Sequence, residues 1–211
     1  MSAKPMSSRE LALTADGAVR PAAERGLVEQ CRRGNAEAFA RLVALHEAMV
    51  FNLACRLLGH PEEARDAAQE VFLQVYRVLG RFEGRSTLRT WIYRIVVNHC
   101  RNRRRFWMRR QRAQALPLQE LTPADEGRLS RAASPTPEEL LARREEARRV
   151  QDALHRVSFA HRAVLVLREV EGLSCAEIAL ALDVAEGTVK SRLARARDAL
   201  RAQLQAREAA R

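Results

Sequence analysis

Residues 173–201, LSCAEIALALDVAEGTVKSRLARARDALR, carry two short helical patterns joined by a turn, and the rest of the chain has to supply a helical bundle around them. Ser174 and Glu177 form an S-x-x-E capping box, which satisfies backbone N–H groups left free at a helix start. Ile178, Ala179 and Leu182 then recur at helical spacing, and Asp183 with Val184 makes the turn. Glu186-Gly187-Thr188 opens the second helix, where an acid suits the positive end of the dipole. Val189, Leu193, Ala196 and Leu200 fall at i, i+4, i+7 and i+11 and pack inward. Thr188, Ser191, Arg195 and Asp198 point the other way, flanked by Lys190, Arg192, Arg197 and Arg201. Short polar and arginine side chains facing out from the first half of a helix are what reading base edges in a DNA groove requires. A solvated basic helix on an ordinary bundle shares that composition.

The whole chain is cationic. Its 211 residues carry a formal charge of +11 and a pI of about 10.9, so its partner is expected to be anionic, nucleic acid or an anionic membrane surface. No apolar run approaches the roughly 20 residues that a membrane span needs, and no signal-peptide core is read at the start, so neither membrane insertion nor secretion is expected. Cys31, Cys55, Cys100 and Cys175 are far apart, form no C-x-x-C pair and join no histidine cluster; they read as small, partly buried residues of a reducing cytoplasm. Aromatics are 5% of the chain and strand-like alternation is absent, which predicts an all-α protein.

Two helical domains are expected. Residues 1–23 mix Ser, Ala, Pro and Gly without period and read as a flexible tail. From Glu24 a short helix with Leu27, Val28 and Cys31 inward stops at Gly34. Asn35 caps a longer one that runs to Leu58 and ends at Gly59. A third spans about Pro61 to Leu79, with proline tolerated at its start. A loop, Gly80-Arg81-Phe82-Glu83-Gly84, leads to Ser86, expected to cap a fourth helix from Thr87 to Arg105 or beyond. Residues 111–137 hold Pro117, Pro123, Pro135 and Pro137 and read as an extended linker. Helical pattern resumes near Glu138, and Ser158 caps a further helix with Ala163, Val164, Leu167 and Val170 inward and Gly172 at its end. The domains thus fall at 24–110 and 138–211.

Two runs in the first domain carry chemistry. Asp66, Gln69 and Glu70, in Asp66-Ala67-Ala68-Gln69-Glu70-Val71-Phe72, share one helix face. A polar, partly acidic patch on so basic a chain suits a protein partner better than DNA, although a solvated face has the same pattern. From Asn98 to Arg112 there are seven arginines and no acid, a stripe for phosphates whose affinity falls with salt. The adjoining Gly-flanked loop and aromatics fit single-stranded nucleic acid, whose unstacked bases rest on side-chain faces. Trp91 lies on the apolar face and reads as core; Asn98 suits either a helix cross-link or DNA.

These segments resemble the extracytoplasmic-function (ECF) sigma factors of the sigma-70 family. The carrying residues are Asp66 to Phe72, Phe82 to Asn98, Glu177-Ile178-Ala179, Gly187 to Leu193, Arg195-Ala196-Arg197 and Leu200-Arg201. The resemblance spans about residues 24–205. It implies a factor that binds core RNA polymerase through Asp66, Gln69 and Glu70. It implies that Arg81, Phe82, Glu83, Gly84, Arg85, Ser86, Asn98, Arg101, Arg104 and Arg105 melt and hold the −10 element, the loop helping to pocket a flipped base. It also implies that Lys190, Ser191, Ala194 and Arg195 face base edges of the −35 element while Thr188, Arg192, Arg197 and Arg201 hold phosphates. An anti-sigma protein is a further implied partner, and no cofactor is. His46, His60, His99, His155 and His161 show no metal or triad spacing, so no enzymatic activity is expected. The rival reading is a stand-alone helix-turn-helix regulator that binds duplex DNA as a dimer.

Overall fold

A computed structural model describes residues 21–114 and 137–208; most of the expected tail and linker lies outside the described residues. The chain forms α1 (Pro21–Arg32), α2 (Ala36–Leu58), α3 (Pro61–Val78), a 3-10 turn (Leu79–Arg81) and α4 (Leu88–Gln114). After the linker come α5 (Pro137–Arg156), α6 (Phe159–Leu165) with a π-helical turn (Val166–Val170), α7 (Cys175–Leu182) and α8 (Glu186–Glu208). Among the described residues there is no strand.

The local signals act as their chemistry demands. The Asn35 side chain accepts from Ala38 N–H at 3.1 Å and starts α2. Gly59, at φ +88°, turns the chain out of α2 in the left-handed region, and Pro61 opens α3. Leu42, Val50, Leu53 and Leu57 of α2, Ala64, Ala67, Val71 and Val75 of α3, and Ile92, Val96 and Cys100 of α4 are fully buried together. Burial pushes the Cys100 thiol up to about 12, which keeps it protonated and inert. Glu24 of α1 accepts from the backbone N–H groups of Leu88 and Arg89, anchoring the start of α4.

Four expectations are corrected. Thr87, not Ser86, caps α4: its Oγ1 accepts from Thr90 N–H at 3.1 Å, while Ser86 Oγ donates to Thr87 O. α4 runs on to Gln114, into the segment read as linker. Val170 is exposed at 48%; the π turn, marked by Glu171 N–H on Val166 O at 3.0 Å, inserts a residue that breaks the helical spacing. Lastly, α2 is by length and composition apolar enough to cross a membrane, although no such run was expected. Its apolar stripe is instead spent on α3 and α4.

The halves before and after the linker share one continuous core. Arg162, 2% exposed, sits where α2 and α5 end. It donates to Leu154 O at 2.9 Å, Leu57 O at 2.6 Å, His155 O at 2.6 Å and Val157 O at 3.3 Å. Helix C-termini present unsatisfied carbonyls and a partial negative charge, so a guanidinium suits them. No carboxylate faces it, and burial pushes it down to about 9. Beside it Gln151 donates to Arg56 O at 3.3 Å, and the His155 ring lies over Gly59, where a Cβ would meet it at 2.2 Å. α7 packs along α4.

Candidate polymerase and nucleic-acid interfaces

The α3 turns that hold Ala64, Ala67 and Val71 in the core put Asp66, Gln69 and Glu70 on the opposite, exposed side. The carboxylates share one cation. Arg103 of α4, 18% exposed, reaches Glu63 at 2.5 Å, Asp66 at 3.2 Å and Glu70 at 3.6 Å. His99 Nε2 lies 3.4 Å from Glu70 without a hydrogen-bond partner, and burial pulls its pKa down. Leu73 and Tyr76, 56% and 59% exposed, continue the face, with Phe39 edge-on to Tyr76 at 5.0 Å. Glu70, Leu73, Gln74, Arg77, Val78 and His99 line a shallow groove there. The sequence reading stopped at Glu70, although the i+3 and i+6 positions of Leu73 and Tyr76 signal the extension.

The loop before α4 divides in two. Arg81, Glu83, Gly84 and Arg85 are exposed and Ser86 is half-buried; Gly84 takes φ +72°, and Arg85 pairs with Glu83 at 2.7 Å. Phe82 faces the other way. It is buried against half-buried Trp91, ring centroids 5.4 Å apart, and its carbonyl accepts from Arg32 of α1. Phe82 therefore supports the loop from beneath. On α4, Arg105 is exposed, while Asn98, Arg101 and Arg104 are half-buried. The Arg104 guanidinium lies 5.9 Å from the Phe159 ring centroid. Arg101 is pulled below its ordinary pKa by burial and by the charges of Arg105 and Arg192.

The capping box is present in full: Ser174 Oγ accepts from Glu177 N–H at 3.2 Å, and Glu177 Oε2 accepts from Ser174 N–H at 2.8 Å. Asp183 closes α7 at φ +57°, so α8 leaves at an angle with Val189, Leu193 and Ala196 buried. Lys190, Ser191, Ala194, Arg195, Arg197 and Arg201 are exposed, Thr188 and Arg192 half-buried. Three of these side chains rest on local acids: Lys190 on Glu186 at 2.8 Å, Arg197 on Glu169 at 2.7 Å and Arg201 on Asp198 at 3.0 Å. Arg195 and Ala194 stand on the outward side between them.

The order of these parts, an acidic docking face, a cationic loop and helix, then a helix-turn-helix, recurs in proteins of known role. Residues 42–112 match the family Sigma-70 region 2, and residues 147–200 match Sigma-70, region 4. The RNA polymerase sigma-H factor of Pseudomonas aeruginosa is 36% identical over 186 residues, covering 86% of this chain and 94% of its own. The chain is an ECF sigma factor of the sigma-70 family. The ECF sigma factor SigW of Bacillus subtilis is 30% identical over 184 residues, 84% of this chain and 94% of its own. CnrH, solved with the cytosolic domain of CnrY, superposes with a TM-score of 0.61 at 30% identity, covering 87% of this chain and 98% of that one. The fold is shared as well with RpoE of Bartonella quintana, solved with the anti-sigma factor NepR, at a TM-score of 0.63, 23% identity and coverage of 81% and 98%. As a sigma factor, the chain is a transcription initiation factor that serves core RNA polymerase at promoters.

Proposed function

We propose that the α3 face carries the polymerase contact, with Asp66, Gln69 and Glu70 its polar part and Leu73 and Tyr76 its apolar part. The loop 81–86 and the basic side of α4 take the melted −10 strand, and α8 reads the −35 duplex with Arg195 and Ala194 toward base edges. The factor supplies position and strand binding, with no catalytic chemistry of its own. A protein inhibitor of the anti-sigma kind joins these partners, as CnrY joins CnrH.

One observation supports the reading most. The only described acids on this side of α3 and α4, Glu63, Asp66 and Glu70, are gathered by Arg103 onto one exposed patch beside bare Leu73 and Tyr76. Charged rim and apolar centre side by side are the anatomy of a protein–protein contact. The test is association with core polymerase after Asp66→Asn with Glu70→Gln, which removes charge without setting a cation against Arg103. Association should fall by at least about tenfold, the loss of roughly 1.4 kcal/mol, with helicity unchanged. Unaltered association would reject the docking role.

A further inference from the structure

Tyr93, Val97, Arg101 and Arg104 fall at i, i+4, i+8 and i+11 along α4 and make one stripe. Tyr93 meets Glu171, Arg101 faces the charge of Arg192 on α8, and Arg104 covers Phe159. The face assigned to the melted strand is thus turned toward the half that reads the duplex. Like charges meet there, and two carboxylates from the C-terminal half offset them. Asp183 pairs with Arg94 at 3.0 Å. Glu171, only 9% exposed, is held more closely: Tyr93 OH donates to its Oε2 at 2.5 Å, Arg89 Nη2 lies 3.6 Å from the same oxygen, and Arg89 Nε donates to the Tyr93 oxygen at 2.9 Å.

A guanidinium and a phenol hydroxyl converging on one oxyanion is a phosphate-binding arrangement. We infer that Arg89 and Tyr93 form a phosphate site for the single strand of the opened promoter, and that Glu171 fills it while the two halves are packed together. The site begins the stripe that Arg101 and Arg104 continue. From Tyr93 to Arg104 the helix rises about 16 Å, room for several successive phosphates. The packed chain cannot serve a promoter as it stands. Elements at −35 and −10 are separated by roughly 85 Å of B-form duplex at about 3.4 Å per base pair, whereas these two reading surfaces touch. Separation removes Glu171 and bares the site, so the factor handles single strands poorly until its halves are drawn apart. The inference rests on the sigma-factor reading of α4.

The test is fluorescence anisotropy of the purified full chain with a labelled single-stranded DNA oligonucleotide at low salt. Glu171→Ala should bind the strand about tenfold more tightly than the unaltered chain, since one charge-assisted contact of the packed state is lost. Adding Arg89→Ala should remove the gain. The exchange Arg89→Glu with Glu171→Arg rebuilds an ion pair across the contact but puts an acid into the strand site, so it should bind more weakly than the unaltered chain. Equal or weaker binding by a folded Glu171→Ala chain, or tight binding by the exchange, overturns the inference. Initiation with core polymerase, run beside it on the unaltered chain, separates the two readings. Normal initiation with unchanged strand binding sinks only this site, while no initiation sinks the function itself.

Discussion

Replacing Arg162 by Met tests whether one buried guanidinium holds the ends of α2 and α5. The substitution keeps an unbranched apolar stem and removes every donor. Three carbonyls lose bonds of 2.6 to 2.9 Å, and Val157 O loses a longer one. Each buried carbonyl left bare costs about 1–3 kcal/mol, partly recovered because a cation without a carboxylate no longer has to be buried. A net loss of about 3 kcal/mol follows, which lowers the melting temperature by roughly 6–12 °C for a chain of this size. Urea titration followed by circular dichroism measures the first figure, and a thermal melt the second. Arg162→Lys keeps the charge and loses the fork, so it should recover less than half of the loss. A Met variant within about 0.5 kcal/mol of the parent, or a Lys variant equal to it, would refute the capping argument.

Gly59→Ala places a methyl group 2.2 Å from the His155 ring in a backbone conformation of φ +88°; strain and overlap together should cost about 2–4 kcal/mol, read from the urea midpoint. Acid should weaken the fold through two histidines, His46 held at about 4 and His155 at about 3, each first by burial and then by nearby arginines. Because the folded values lie below the unfolded one near 6.5, the unfolded chain binds more protons, and stability is lost as pH falls below about 6.5. Between pH 7 and pH 5 the expected loss is about 2 kcal/mol per histidine, and identical urea midpoints at both would reject it. Arg195→Ala should weaken initiation at a cognate promoter by about 1–3 kcal/mol and lower discrimination at one base position; an equal loss on every promoter would reassign Arg195 to phosphate.

Most of the helices could be read from their ends. Asn35, Gly59, Pro61, Ser158 and the Ser174–Glu177 box each act through bonds to backbone within a few residues, and such bonds are written in local spacing. The inward faces of α3 and α8 were legible for the same reason. What escaped the reading depends on distant partners. Nothing near Arg162 in the sequence announces Leu57, 105 positions earlier. Glu171 looked like a polar residue beside a helix-ending glycine until α4 brought Tyr93 to it. Arg103 looked like one more phosphate ligand in an arginine run, yet its place on the far side of α4, one turn beyond His99, gives it to the acids of α3. Phe82 was drawn into the loop by its neighbours, whereas its ring belongs to the Trp91 pair below.

The π turn at Val166–Val170 decides where two neighbouring acids go. Glu169 reaches Arg197 on α8, and Glu171 reaches Tyr93 on α4. A π turn is a one-residue insertion in an α-helix, so removing any single residue within it would swing everything that follows by about 100°. Glu171 would then leave α4 while each half kept its own packing. The strength with which this factor restrains itself is therefore adjustable by a single codon, independently of the surfaces that recognise enzyme and promoter.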